Sequence, residues 1–422
     1  MSRKQFEIPT MYASSIIKTI KEATQITDPR KKDLTPSVLD FGPLQVLIPR
    51  HFGFCYGVEN AIDIAYRTVE ENPNRRIFLL SEMIHNPTVN EDLLRKGVRF
   101  LFETDGTPLV PFDSLTAEDI VIVPAFGTTL QIEDQLREIG IDPYQYNTTC
   151  PFVEKVWKRG DQLGQKGYNL VIHGKYRHEE TRATFSHSAK HSEVVVVLNE
   201  EEATTLAEIM TGDRPKEDFE THFRHKSTPG FDPDVHLRQF GVINQTTMLA
   251  TETERVMQIL KEAAAKVAET RAEIRDFADT SDTLCYATNE NQSATLALAE
   301  AKPDLSIIVG GYNSSNTMHL VEILEHAGPA FHVRDESEIE STEIIHHFDQ
   351  WKHERLSTTN WLNTEKHAGS KSKQNPLRIA LTSGASCPDV LVDEVLLKLL
   401  DWFPERRSLD EVMQAFNDVR AE

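Results

Sequence analysis

Three cysteines stand each between a strand-like run and a helix start: Cys55 in FGFCYGVENA, Cys150 in YNTTCPFVEKV and Cys285 in DTLCYATNEN. They lie 95 and 135 residues apart, too far for a zinc-finger or ferredoxin spacing, so only folding can bring them into one site. Three thiolates suit a cubane iron–sulfur cluster, in which the fourth iron is left open to act as a Lewis acid. Cys387 follows Ser386 and reads as a small packed residue, which is how most isolated cysteines behave.

Other turns carry polar residues of a second kind. Asn313-Ser314-Ser315-Asn316 follows VGG, and Ser386 follows TSGA. Glycines there permit close backbone approach, and helix N-termini attract anions without a cationic side chain. Asn and Ser are also ordinary helix caps, so the NSSN turn alone is weak evidence, and its pairing with SGAS strengthens it. His85 in EMIHNP and His178 in HGKYRHEET each follow an apolar run, and Glu180 lies two residues beyond His178. A lone His is more often a structural hydrogen-bonder; at a strand end beside a carboxyl it can bind phosphate while the carboxyl delivers a proton. Thr246 in NQTT offers a hydroxyl to such a relay. If RHEET is extended, Glu179 and Glu180 point to opposite faces and only Glu180 addresses the site.

The elements that must position these residues begin near residue 45. LQVLIP, RIFLLSE, DIVIVPAFG, NLVIHG, EVVVVL, FGVINQ, LSIIVGG and RIALTSG are strand candidates, and amphipathic helices alternate with them. Val58, Ile62, Ala65 and Val69 form one apolar stripe after Cys55; Val392, Val395, Leu396 and Leu399 form another after Ser386, with Pro388 and Asp389 in its first turn. The alternation predicts an α/β protein with parallel-type sheets, whose ligands bind at strand carboxyl ends. Residues 211–238 and 341–376 break the rhythm and read as polar surface insertions. His346, His347 and His353 in the second lack ligand spacing and read as parts of a solvated loop. MYASSIIKTIKEA fits a short amphipathic helix in a peripheral N-terminal extension.

The chain has 422 residues, enough for two or three domains, and a formal net charge of −21. That charge opposes binding to nucleic acid or an anionic membrane surface. No apolar run approaches bilayer length, four widely spaced cysteines are no secreted disulfide framework, and the first 44 residues lack signal or transit character. The cytoplasm is the expected compartment. GxGxxG is absent, so electrons must come from outside. Two rivals are a non-redox hydro-lyase, separated by reductant dependence, and a non-catalytic phosphosugar-binding module, which would purify without iron.

FCYGV, EMIHNP, TTCP, RHEET, QTT, LCYAT, NSSN and SGAS, in that order across residues 45–401, resemble the 4-hydroxy-3-methylbut-2-enyl diphosphate reductase family of the non-mevalonate isoprenoid pathway. The resemblance implies three similar α/β domains in a trefoil around a central [4Fe–4S] cluster on Cys55, Cys150 and Cys285. It implies domains at 57–149, 150–280, and 45–56 plus 281–401, flanked by an extension at 1–44 and a tail at 402–422. It implies diphosphate binding by His85, His178, Ser314, Asn316 and Ser386, with Ser315 and Thr246 nearby, and Glu180 as proton donor. The implied products are isopentenyl and dimethylallyl diphosphate, and the expected electron donor is of ferredoxin or flavodoxin type. One departure stands out: Phe126 in PAFGTT replaces a family His, leaving Thr128 or Thr129 as candidates for that contact. With the extension, this resembles the branch shared by cyanobacteria and plastids, and a bacterial cytoplasmic protein is expected.

Overall fold

The computed structural model describes residues 6–271, 275–278, 283–362 and 376–421. The chain divides into two units: Met1–Glu59, His85–Thr88 and Tyr286–Glu422 form the first, and Asn60–Ile84 and Val89–Cys285 the second.

The first unit holds a five-stranded sheet of order β1-β2-β14-β10-β11 (β1 Ser37–Asp40, β2 Leu44–Ile48, β10 Leu305–Val309, β11 Ala330–Val333, β14 Leu377–Ser383). All its pairs are parallel except β1 with β2. Successive side chains of a strand face opposite layers, so both layers draw on the same strands. Leu47, Ile308 and Ala380 meet Leu298 of α11 (Tyr286–Glu300) and Leu320, Val321 and Leu324 of α12 (Ser315–Glu325). Val46, Ile48, Ile307, Val309, Ile379 and Leu381 join the other core, with Ile16, Ile17 and Ile20 of α1 (Ile16–Thr27). The same core contains Val392, Val395 and Leu396 of α13 (Asp389–Leu400) and Met413 of α14 (Leu409–Ala421).

The N-terminal segment is therefore a core element and not the peripheral extension its sequence suggested. Its helix is amphipathic as expected, but Ile16, Ile17, Ile20 and Ala23 are buried, and a buried carboxylate holds its start. Asp393 accepts from Ser14 Oγ at 2.7 Å and from the amides of Ser15, Ile16 and Ile17 at 3.0, 3.2 and 3.0 Å. A side chain of α13 thus satisfies the N–H groups that every helix leaves open at its N-terminus. Further along α1, Arg420 of α14 pairs with Glu22 at 2.5 Å.

The second unit holds two wholly parallel sheets. One has the order β4-β3-β5 (β3 Ile77–Leu79, β4 Arg99–Phe100, β5 Ile120–Ile122). The helix α2 (Tyr56–Glu71) leads into it, α3 (Pro87–Arg95) crosses from β3 to β4, and α4 (Leu130–Ile139) follows β5. The other has the order β7-β6-β8-β9 (β6 Asn169–His173, β7 Val194–Val197, β8 Gln239–Asn244, β9 Asp276–Ala278). Its helices are α5 (Pro151–Gln165), α6 (Glu179–Ser188), α7 (Glu200–Thr211) and α10 (Ala250–Arg271). The unbroken VVVV of β7 is explained by burial on both faces: Val195 and Val197 lie in one core, Val194 and Val196 in the other.

Both supposed insertions have structure. Residues 211–238 carry the short helices α8 (Asp218–His222) and α9 (Pro233–His236), and bury Phe219, Phe223, Phe231 and Leu237 in the core beside β7. Four apolar residues scattered among charged ones suffice to seat a segment that reads as polar. Part of 341–376 is an antiparallel hairpin, β12 (Ile344–Asp349) with β13 (Glu354–Thr359); its residues 363–375 lie outside the described ones. His346 bonds Ser357 at 2.8 Å and Glu340 at 3.0 Å, and His347 bonds Thr358 at 2.8 Å, so these rings support strand pairing.

Asp393→Ala removes a charged acceptor from three helix amides at once and should destabilise the protein by about 3 kcal/mol. An unchanged melting temperature for that variant would contradict the capping role.

Candidate functional site

In the first unit, two strands end side by side on glycine turns. β10 runs into Gly310-Gly311, and β14 into Gly384-Ala385-Ser386. Ser314 caps α12, accepting from the Thr317 amide at 3.3 Å and from its hydroxyl at 3.0 Å. Ser386 Oγ donates to the His85 carbonyl at 3.1 Å and stands 3.5 Å from Ser314 Oγ. Asn316 Oδ1 accepts from the Ala385 amide at 2.8 Å, while its Nδ2 is buried with no hydrogen-bond partner among the described residues. His85, Ser314, Asn316 and Ser386 are therefore brought together, and Ser315 is the buried first residue of α12.

The glycines are required by space. A Cβ on Gly310 would lie 2.6 Å from Thr317 Oγ1, one on Gly384 would overlap the same hydroxyl, and one on Gly311 would lie 2.5 Å from the His85 carbonyl oxygen. Thr317 is thus the peg around which both turns close, a role invisible in NSSNT. Beneath them, His332 donates from Nε2 to the Gly310 carbonyl at 3.1 Å, while its Nδ1 has no partner among the described residues. Burial lowers the pKa of this ring to about 4, so it is neutral in the fold. An orphaned amide, serine hydroxyls and a helix N-terminus are donors in excess, the chemistry an anionic oxygen needs.

In the second unit, β6 and β8 end at the RHEET and NQTT turns. His178 caps α6 with Nδ1 accepting from the Glu180 amide at 3.2 Å. Glu180 is buried, and its carboxylate accepts from the Thr246 amide at 2.5 Å. Gln245 locks the two turns together: Oε1 accepts from Lys175 N at 3.1 Å and Thr181 Oγ1 at 3.0 Å. RHEET is not extended. Glu179 and Glu180 open a helix, both are buried, and Glu179 is held by Ser81 Oγ, so what separates them is their partners and not strand alternation. Phe126 meets the His178 ring edge-on with centroids 5.6 Å apart. Beside it, Thr129 caps α4 by accepting from the Ile132 amide, and the Thr128 carbonyl accepts from His187.

The three cysteines share one local position, the residue before a helix. The Cys55 carbonyl accepts from Glu59 N at 2.9 Å, that of Cys150 from Glu154 N at 3.1 Å, and Cys285 directly precedes α11. Cys55 belongs to the first unit, Cys150 and Cys285 to the second. All are thiols, and a helix N-terminus favours the thiolate. Cys387 is also a thiol, but wholly buried, and burial with the nearby Asp389 pushes its pKa far up. Among the described residues no three of His, Cys, Asp or Glu stand together as a metal site. The fit to an iron–sulfur group thus lies in the chemistry of the donor set, three thiols at helix starts against one locked as a neutral thiol.

Fold and site define an α/β protein with candidate ligand turns at the carboxyl ends of parallel strands. Residues 46–400 match the profile of the LytB protein family, and the chain belongs to that family. It is 37% identical over 366 residues to the 4-hydroxy-3-methylbut-2-enyl diphosphate reductase of Gloeobacter violaceus, covering 85% of this chain and 83% of that one. A Synechococcus enzyme of the same name is 38% identical, covering 86% of each chain. The solved E-1-hydroxy-2-methyl-but-2-enyl-4-diphosphate reductase of Plasmodium falciparum shares the fold, with a TM-score of 0.60 at 19% identity over 89% of this chain and 98% of that one. Among the described residues no helix is long and apolar enough to cross a membrane.

Gly311→Ala should displace the His85 carbonyl and weaken diphosphate binding at least tenfold, read by calorimetry; unaltered affinity would exclude this turn from the site. His332 supplies a pH test. A folded pKa of about 4 against about 6.5 unfolded means that its contribution is complete above pH 6.5 and is lost as pH falls toward 4. The loss of stability over that window should therefore be shallower in His332→Gln than in the parent.

Proposed function

We propose that this chain reduces 4-hydroxy-3-methylbut-2-enyl diphosphate to isopentenyl diphosphate and dimethylallyl diphosphate, the last step of the non-mevalonate isoprenoid pathway. Family membership supports the reading. The observation that carries it is the Glu180 carboxyl, buried at a strand end and aimed by the Thr246 amide at 2.5 Å.

The reaction consumes two electrons and two protons. The allylic C–O bond breaks, one proton leaves with the oxygen as water, and the other adds to either end of the allyl fragment. Glu180 delivers the proton that turns a poor leaving group into water. Cys55, Cys150 and Cys285 hold a [4Fe–4S] cluster, which when bound supplies electrons and one open Lewis-acid iron. Ser314, Ser315, Asn316, Ser386, His85, His178 and Thr246 bind the diphosphate. His178 accepts the Glu180 amide on Nδ1, so its neutral ring carries a proton on Nε2 for a phosphate oxygen. Such uncharged donors suit a chain with a net charge of −21, which has few cations to spare. Phe126 cannot donate a hydrogen bond and holds the His178 ring by its edge instead. A ferredoxin or flavodoxin-type protein delivers the electrons, in the bacterial cytoplasm.

Anaerobic loading with iron and sulfide tests the ligand set: Cys55→Ser, Cys150→Ser and Cys285→Ser should each lose cluster and activity, whereas Cys387→Ser keeps both. A Cys387→Ser protein without cluster would overturn it. Glu180→Gln should keep the cluster and bind substrate, yet lose turnover by roughly 10²–10⁴-fold, as expected for a missing general acid. Near-normal turnover with an artificial reductant would show that the proton arrives by another route.

A further inference from the structure

The turn that carries Cys55 is gripped by the N-terminal segment, almost residue by residue. Lys21 Nζ sits 4.5 Å from the centre of the Phe52 ring. Gly53 has a φ of +72°, and a Cβ there would lie 2.8 Å from Lys21 Nζ and overlap Asp389, the partner that Lys21 binds at 2.7 Å. Tyr12 meets Phe54 edge-on at 6.2 Å, and Phe6 meets Tyr56 edge-on at 5.0 Å. The four residues flanking Cys55 thus each touch the segment between Phe6 and Lys21. On the opposite side the Cys55 amide donates to Ala385 of the SGAS turn at 3.3 Å.

The grip is itself anchored. Asp393 fixes the start of α1 through its amides, and Lys31 at the end of the segment binds Glu290 of α11 at 2.8 Å. Aromatic edges, a cation over a ring and an ion pair are contacts that fix direction as well as burial. None of these residues carries a group that the proposed reaction uses.

We propose that the segment from Phe6 to Lys31 is a positioning clamp, which sets the backbone of the Cys55 turn before any metal is bound and retains iron once it is. The second half of that statement rests on Cys55 being a cluster ligand; the first half does not.

The test uses Tyr12→Ala, Phe6→Ala and the conservative Tyr12→Phe in the full chain. In metal-free protein, hydrogen exchange over residues 51–59 should quicken at least tenfold in Tyr12→Ala and Phe6→Ala, with exchange over 150–156 unchanged. After anaerobic loading, iron should pass to a chelator at least fivefold faster from both, and Tyr12→Phe, which keeps the ring, should restore both rates. Unaltered exchange over 51–59 overturns the clamp. Quickened exchange throughout the five-stranded sheet also overturns it, since that is loss of fold, and Phe6→Ala, which leaves the buried Tyr12 and the α1 cap intact, guards against this outcome. Quickened exchange with unaltered iron release overturns the link to the ligand. The loading of Cys55→Ser separately decides whether Cys55 is a ligand at all, so the two failures are distinguishable.

Discussion

Parallel pairing with both faces of a sheet covered is the constraint from which the remainder of this structure follows. Apolar side chains fill both layers, and the polar groups with candidate chemistry collect mainly beyond the ladders, in turns and at helix starts. The NSSN and SGAS turns follow β10 and β14, RHEET and NQTT follow β6 and β8, and the cysteines precede helices. The first pair also shows how tightly such ends are packed, because three glycines are needed to admit one threonine hydroxyl and one carbonyl.

The same constraint sets helix starts at the candidate turns, where their open N–H groups supply positive potential. The chain carries 66 acidic and 45 basic residues. Several of the lysines that approach the core are neutralised at once, Lys21 by Asp389, Lys31 by Glu290 and Lys226 by Glu202. Buried polar groups beside the turns are kept uncharged: His332 is neutral, and burial together with Glu338 holds the Tyr312 hydroxyl protonated.

Both ends of the chain are drawn into the fold by the first sheet. Its outer layer needs an apolar cover, and α1 and α14 supply it with Ile16, Ile17, Ile20 and Met413. Asp393 makes this cover directional, since its carboxylate bonds only a helix start. A segment packed in this way brings its aromatic residues to the Cys55 turn.

The sequence by itself determined the parallel α/β class, the apolar strands and the turns that carry chemistry, because strand burial on both faces and glycine before a polar turn leave marks in local composition. Its misjudgements have a common cause. The N-terminal helix reads as peripheral and residues 211–238 as a polar insertion, yet each buries a few large apolar residues whose partners lie hundreds or tens of residues away. RHEET reads as extended because its helix is short and weakly amphipathic, and only the cap by His178 shows where it starts. Thr317, Gln245 and Asp393 are ordinary residues in the sequence; their roles arise from long-range hydrogen bonds and close contacts that no periodicity encodes. Tertiary structure decided these because a buried polar group takes its meaning from the partner that satisfies it, and that partner is chosen by packing.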